Sequence, residues 1–361
     1  MQDRRSDKPP GPDDGGPRAP AGDAGPGATA EEALGAVTGE ALGAPAAPAG
    51  DESPQVLGSP RPLVSEALLL LASAIWGFAF VAQRVAMEHI GPFTFNAVRF
   101  ALGSLPMLPL IALSRRRGAV EAAAAGHARP PAIDRRTLVS GTLIVGVTLY
   151  AGASFQQFGI VYTTAGKAGF ITGLYVIIVP IIGLFWRMRP HATVWAGAAL
   201  GVVGLFLLSV TERLTIGLGD TLVLVGAFFW AAHVIAISRF IRKIGVARLA
   251  FLQFATCSVL SLATALVVEE ISMAGIIAAH MPILYGGFIS VGIAYTLQLV
   301  GQKRTPPAHA AIILGLEAVF GALGGWAILD EQLSTRALVG CALMLFGVII
   351  SQLRRSRAAT A

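Results

Sequence analysis

Cysteine is nearly missing from this chain, with two residues in 361, and charged residues make up only 13% of it. Cys257 and Cys341 stand alone in separate apolar stretches and no C-x-x-C occurs, so the sequence offers neither a disulfide framework nor a cysteine-based zinc site. No His or carboxylate pair has metal-ligand spacing, and no G-x-x-x-x-G-K-[ST] phosphate loop is present. Ser154 and Ser290 lack the G-x-S-x-G setting of a nucleophile elbow. Metal, redox, nucleotide-driven and serine-nucleophile chemistry find no support, no cofactor is expected, and the chain does not read as an enzyme.

Hydrophobic residues fill what is left, at 54% with a mean hydropathy of +0.68. A soluble globule carries nearer ~25% charged residues, so this is an all-α integral membrane protein. Residues 1–60 are the exception: Pro, Gly, Ala, Asp and Glu dominate without apolar periodicity, and such a segment is expected to be a disordered tail. No basic start followed by an apolar run is seen there, so the first true helix is expected to act as the insertion signal.

A spanning helix needs roughly 20 apolar residues. Ten segments qualify, near 65–87, 92–113, 138–158, 164–186, 192–211, 219–239, 248–268, 282–301, 307–329 and 335–353. They are twice the length of barrel strands and continuously apolar, which selects helices. Alternate connections hold Arg115, Arg116, Arg117, Arg129, Arg135 and Arg136, then Arg187 and Arg189, then Arg242, Lys243 and Arg248, then Lys303 and Arg304. A short basic tail, 354–361, closes the series with Arg354, Arg355 and Arg357. The other connections hold only Arg213 and Arg336 beside Glu88, Glu212, Glu269, Glu270, Asp330 and Glu331. The positive-inside bias then puts both termini in the cytoplasm of a multi-pass inner-membrane protein. The net charge of +6 reflects that bias and attraction to membrane lipids, and no nucleic-acid partner is needed to explain it.

The segments form two sets. Ala165–Pro180 (AGKAGFITGLYVIIVP) and Pro307–Ala322 (PAHAAIILGLEAVFGA) align at an offset of 142, pairing Lys167 with His309, Gly173 with Gly315 and Tyr175 with Glu317. Gln156 pairs with Gln298 at the same offset. Trp76 matches Trp230, and Arg99-Phe100 matches Gln253-Phe254, at 154; Gly197 and Gly204 match Gly340 and Gly347 at 143. The long Arg-rich connection 114–136 accounts for the change of offset. Five helices per copy is an odd number, so repeats over 65–211 and 219–353 would enter the membrane from opposite sides, an arrangement recurrent in secondary transporters.

The first-helix IWGFAF followed by Gln83-Arg84, the second-helix Arg99-Phe100, TTAGKAGFITGLYVIIVP at 163–180 and GLEAVFGALGGWAILDEQLS at 315–334 carry a resemblance to the drug/metabolite transporter superfamily. Within it the chain resembles the ten-helix proteins with two EamA-type domains, from Glu66 to Arg354. The resemblance implies a carrier of small metabolites such as amino acids or other polar solutes, commonly exported, without an ATP-binding module. The chain departs from the usual pattern at Glu317-Ala318, where many relatives have Glu-Pro.

Polar groups inside such segments mark the candidate site, since each mid-helix charge costs about 2.5–3.5 kcal/mol on insertion scales. Glu317 is ten residues into the ninth segment and is a candidate for proton exchange or for pairing with a cationic solute; a structural carboxyl is the plainer reading. Lys167 and its mate His309 fall near opposite mouths, where they could gate or simply snorkel. Trp76 and Trp230 lie well inside their helices as candidate cavity walls, with Gln83 and His233 at spacings that return to the same faces. Packing is the alternative for each Trp, and a satisfied core histidine for His233. Gln156, Gln157, Tyr295 and Gln298 give the third and eighth helices a polar side. Arg84 and Arg99 read first as structural cations, Arg99 reaching the outer interface or Glu88. The glycine series of the fifth and tenth helices suits close packing, within the chain or in a homodimer.

The sequence reading is therefore a carrier of a small-molecule solute working by alternating access, with the cavity lined by helices one, three, four, six, eight and nine. A passive channel and a non-transporting sensor or scaffold are the alternatives.

Overall fold

The computed structural model describes residues 62–124, 133–209, 216–329 and 334–359. The expected tail over 1–60 and the loop residues Arg129, Glu212, Arg213, Asp330 and Glu331 lie outside them. Ten helices among the described residues are long and apolar enough to cross a membrane. They are α1 Leu63–Ala86, α2 Pro92–Arg116, α3 Arg135–Tyr162, α4 Ala165–Phe185, α5 Ala192–Ser209, α6 Leu218–Ile244, α7 Val246–Val268, α8 His280–Gln302, α9 Pro307–Gly324 and α10 Thr335–Leu353. Each matches a sequence-predicted segment to within five residues at either end. The helix of α10 continues to Ala359, so the basic residues after 353 prolong it.

Polarity is distributed inside out relative to a soluble domain. Large apolar side chains such as Phe185, Leu266 and Val267 are 85%, 69% and 82% exposed, while Asn96, Gln157, His233 and Gln253 are wholly buried. Such a surface is suited to hydrocarbon rather than water.

Helix contacts correspond between the two sets. α3 packs on α6 and α8 on α1; α4 packs on α6 and α9 on α1; α3 meets α7 and α8 meets α2. The correspondence extends to single atoms. A Cβ on Gly159 would lie 2.9 Å from the Gly219 carbonyl, and one on Gly301 would lie 2.8 Å from the Ser65 carbonyl. Positions 159 and 301 are 142 apart and 65 and 219 are 154 apart, the offsets of the sequence repeat. With little hydrophobic drive inside a bilayer, this backbone-level fit supplies much of the helix association.

Ends and breaks of helices have local causes. Gly245 joins α6 to α7 alone at φ 86, a left-handed conformation that only glycine adopts without strain. Asp134 caps α3 by accepting from the Thr137 N–H at 3.0 Å, and donation from the Thr137 and Arg136 backbones holds its carboxyl below the usual aspartate range. α4 is interrupted at Leu174, between Ala165–Gly173 and Tyr175–Phe185. α9 is interrupted at Gly315-Leu316, between Pro307–Leu314 and Glu317–Leu329. The second break occurs with Ala318 where many relatives carry proline, so it is made by tightened turns: Leu316 and Ala318 donate to carbonyls three residues back. α8 winds as a π-helix over Tyr285–Tyr295, which its first-set counterpart α3 does not.

The N-terminus of α2 is capped from a distance. The Glu269 carboxylate, just past α7, accepts from the Phe93 and Thr94 N–H groups at 2.8 Å each and from the Thr94 hydroxyl at 2.7 Å. Gly91 makes room for it, because a Cβ there would collide with that carboxylate. Three bonds to one carboxylate at a helix N-terminus are among the stronger caps. Glu269→Ala is expected to lower stability by about 1–2 kcal/mol, measured as thermal unfolding in detergent, while Glu270→Ala leaves the transition where it is.

Candidate functional site

The interruptions of α4 and α9 open into one central cavity. Tyr175 begins the second segment of α4 and Glu317 begins the second segment of α9, and both side chains line this cavity. Both residues are 5% exposed. Two mates at the repeat offset of 142 therefore share one wall. Two helix N-termini converge here, where their dipoles favour negative charge.

The cavity takes its wall from seven helices. The six that the sequence marks as lining all contribute, and α2 adds Arg99. Ten of the fourteen lining residues are repeat mates of one another: Trp76 and Trp230, Phe80 and Val234, Gln156 and Gln298, Thr172 and Leu314, Tyr175 and Glu317. Of the eleven residues proposed from sequence, eight line it: Trp76, Gln83, Gln156, Tyr175, Trp230, Tyr295, Gln298 and Glu317.

The paired residues are not equivalently bonded. Gln156 is fully engaged: its amide donates to Gln83 Oε1 at 3.1 Å, and its Oε1 accepts from the Trp230 indole at 2.8 Å and from the Thr172 hydroxyl at 3.4 Å. Its mate Gln298 keeps an unpartnered buried Oε1, as Glu317 does. The cause lies in the π-helical winding of α8, which presents the Ser290 carbonyl to the Trp76 indole at 3.2 Å, so Trp76 does not reach Gln298. Trp76, Trp230 and Tyr295 form an aromatic corner, with Tyr295 4.7 Å from Trp76 edge-on and 6.3 Å from Trp230 stacked.

Three sequence candidates stand outside the lining. His233 sits behind the aromatic corner, edge-on to Trp230 and Tyr295, and bonded to Gln253 Oε1 at 2.8 Å. Lys167 pairs with Asp220 at 3.5 Å. Asp220 also accepts from the Gly217 N–H and the Thr163 hydroxyl, so this cluster ties the start of α6 to the α3–α4 corner. His309 Nε2 donates to the Ser351 carbonyl at 2.9 Å, across to α10. Arg84 caps the end of α3 by donating to the Ile160 carbonyl at 2.8 Å, which agrees with its structural reading.

Phe80, Thr172, Val234 and Leu314 line the cavity without having been singled out from sequence, Ser290 is weighed there only as a nucleophile, and Arg99 is read as a structural cation. For Phe80 and Thr172 a signal was present: each lies about one turn from a chosen residue on the same helix, Trp76 and Tyr175, with a mate at the repeat offset. Arg99 contradicts its expectation of reaching the outer interface or Glu88. It is 3% exposed, bonds Asn96 Oδ1, and lies over the Phe95 and Phe100 rings.

The family model of EamA-like transporters matches residues 63–210 and again 217–353. A protein of Archaeoglobus fulgidus (strain ATCC 49558 / DSM 4304 / JCM 9628 / NBRC 100126 / VC-16), described as an uncharacterized transporter, is 32% identical over 290 residues, covering 79% of this chain and 85% of its own. The uncharacterized transporter YoaV of Bacillus subtilis (strain 168) is 22% identical over 298 residues, covering 80% of this chain and 97% of that one. A solved crystal structure is similar with a TM-score of 0.62 at 20% identity, covering 81% of this chain and 98% of the other. That likeness shows the fold.

Proposed function

The chain belongs to the EamA-like transporter family, and from that premise we propose that it is a secondary carrier of a small polar solute, amino acid-like or related, working in the export direction. In this reading it lies in the inner membrane with both termini cytoplasmic, and its halves are inverted five-helix repeats that exchange conformations around the central cavity. The observation that carries the proposal is the pairing of the lining: one site is built from the same positions of both repeats, at the point where α4 and α9 are broken. A receptor or scaffold has no need of such a site.

The chemistry follows from the unpartnered groups. Glu317 Oε1 and Gln298 Oε1 are acceptors without donors, suited to an ammonium or amide group of the solute, and the aromatic corner suits its apolar part. Tyr175 on α4 and Glu317 on α9 line the same cavity, one from each repeat. A proton or a cationic group arriving at that carboxylate changes the charge in the wall where the repeats meet. Coupling of solute movement to protons is assigned to Glu317.

The test is counterflow. Purified protein is screened by thermal shift against amino acids, nucleobases and polyamines at two pH values, and the stabilising solute is run in proteoliposomes. Unlabelled solute inside is expected to accelerate uptake of labelled solute. Planar-bilayer conductance far above carrier turnover, with no such trans-stimulation, would identify a channel and overturn the proposal.

A further inference from the structure

Arg99 holds a positive charge in the cavity wall, and no acidic partner for it stands among the described residues. Among the described residues its one hydrogen bond runs from Nε to Asn96 Oδ1 at 3.0 Å. The Phe95 and Phe100 rings, 5.0 and 4.9 Å from the guanidinium carbon, fix the plane of the group and leave the two Nη atoms without a protein acceptor. Among the described residues Glu317 is the one carboxylate lining the cavity, and no ion pair joins it to Arg99. Tyr295 lines the same cavity. The repeat mate of Arg99 is the neutral Gln253, already bonded to His233, so the cation belongs to one side of the site only.

A buried, uncompensated charge is unfavourable enough to need a partner or a role. Packing alone does not require a guanidinium at this position, since the mate position packs with glutamine. We infer that Arg99 is the anchor for an acidic group on the transported solute, so that the cargo carries a carboxylate or an oxyanion of similar size and purely cationic solutes are rejected. This rests on the carrier reading above. The free edge of a guanidinium presents parallel N–H donors that match a carboxylate bidentately. The same charge repels a solute that brings only an ammonium group into this low-dielectric space. A solute with both groups meets Arg99 through its acid and the Glu317 and Gln298 oxygens through its amine.

The experiment uses purified full-length protein and solutes that share a branched hydrocarbon tail and differ in the polar groups they carry: leucine, 4-methylpentanoate, leucinamide and isoamylamine, with acetate against acetamide as the smallest pair. Thermal shift and calorimetry are expected to show binding of the acids and not of leucinamide, isoamylamine or acetamide. Arg99→Gln, which installs the residue of the repeat mate, is expected to weaken acid binding by about 30-fold or more, and Arg99→Lys to weaken it less. Equal binding of acids and amides by wild type, absence of acid-dependent stabilisation, or unchanged acid binding by Arg99→Gln each overturns the inference. The wild-type comparison stands even if a variant fails to fold. Counterflow that proceeds while these binding results fail removes Arg99 from the site and leaves the carrier reading. Arg99-dependent acid binding without counterflow does the reverse.

Discussion

Glu317→Gln is expected to abolish pH-driven accumulation of solute while leaving counterflow in place. Glutamine keeps the size and an acceptor oxygen, but it does not titrate at any working pH. For an exporter that takes in protons, acid on the outer side drives solute outward. A one-unit gradient supplies about 1.4 kcal/mol per proton, enough for a tenfold solute gradient. In the variant that gradient should collapse to equilibration, whereas solute–solute exchange, which needs no proton, continues. The groups that share the cavity with Glu317 are Tyr175 from α4, Tyr295 from α8 and Arg99 from α2, with His233 behind the aromatic wall. Glu317→Gln and His233→Gln measured side by side assign the coupling group. Accumulation that survives Glu317→Gln would falsify the role given to Glu317. Tyr175→Phe provides the complementary result: it removes the hydroxyl that shares the cavity wall but keeps the carboxylate, so it should alter turnover and retain the response to pH.

The legible and illegible parts of this molecule divide along physical lines. Segment ends were readable because apolar length is a linear property, and α10 was placed at 335–353 as observed. Pairing of the site was readable because duplication leaves offsets, which is why Trp76 with Trp230 and Tyr175 with Glu317 could be chosen and now face one cavity. What depends on the direction of a side chain, or on a partner far along the chain, was not. Arg99, seven residues into its helix, has a linear depth that suits an interface, yet its side chain turns inward between Phe95 and Phe100. Asp220 is not singled out by the sequence, and Glu269 reads only as one of the acidic residues of a connection. Their partners are 53 residues (Lys167) and 175–176 residues (Phe93 and Thr94) away. The π-helical turn of α8 leaves no trace in a 3.6-residue periodicity, and it is the reason that Gln298 has a free oxygen where Gln156 has none.

Gly204→Val is expected to be strongly destabilising, because of how α5 meets α10. A Cβ at Gly204 would lie 2.6 Å from the Gly340 carbonyl, and a Cβ at Gly340 would lie 2.6 Å from the Gly204 carbonyl. The same reciprocal fit joins Gly197 and Gly347, at 2.5 and 2.7 Å. Gly340 is the repeat mate of Gly197 and Gly347 that of Gly204, so each glycine touches the mate of the other. That is the signature of a self-complementary contact between related surfaces, and it favours a two-fold relation between the repeats. The obstacles are backbone atoms of the facing helix, which cannot rotate aside, so the helices must separate along their length. Overpacking of this kind costs about 1–3 kcal/mol, and the loss of close backbone approach over both crossings takes Gly204→Val toward the upper end of that range. Gly201→Ala is the internal control: it lies on the same helix, but its nearest neighbour is the Val176 Cγ1 methyl at 3.3 Å, which can shift. Unfolding measured in detergent should separate the two variants clearly. Equal stability would mean that α5 and α10 are not held at this distance, and with it the argument for a two-fold contact between the repeats would go.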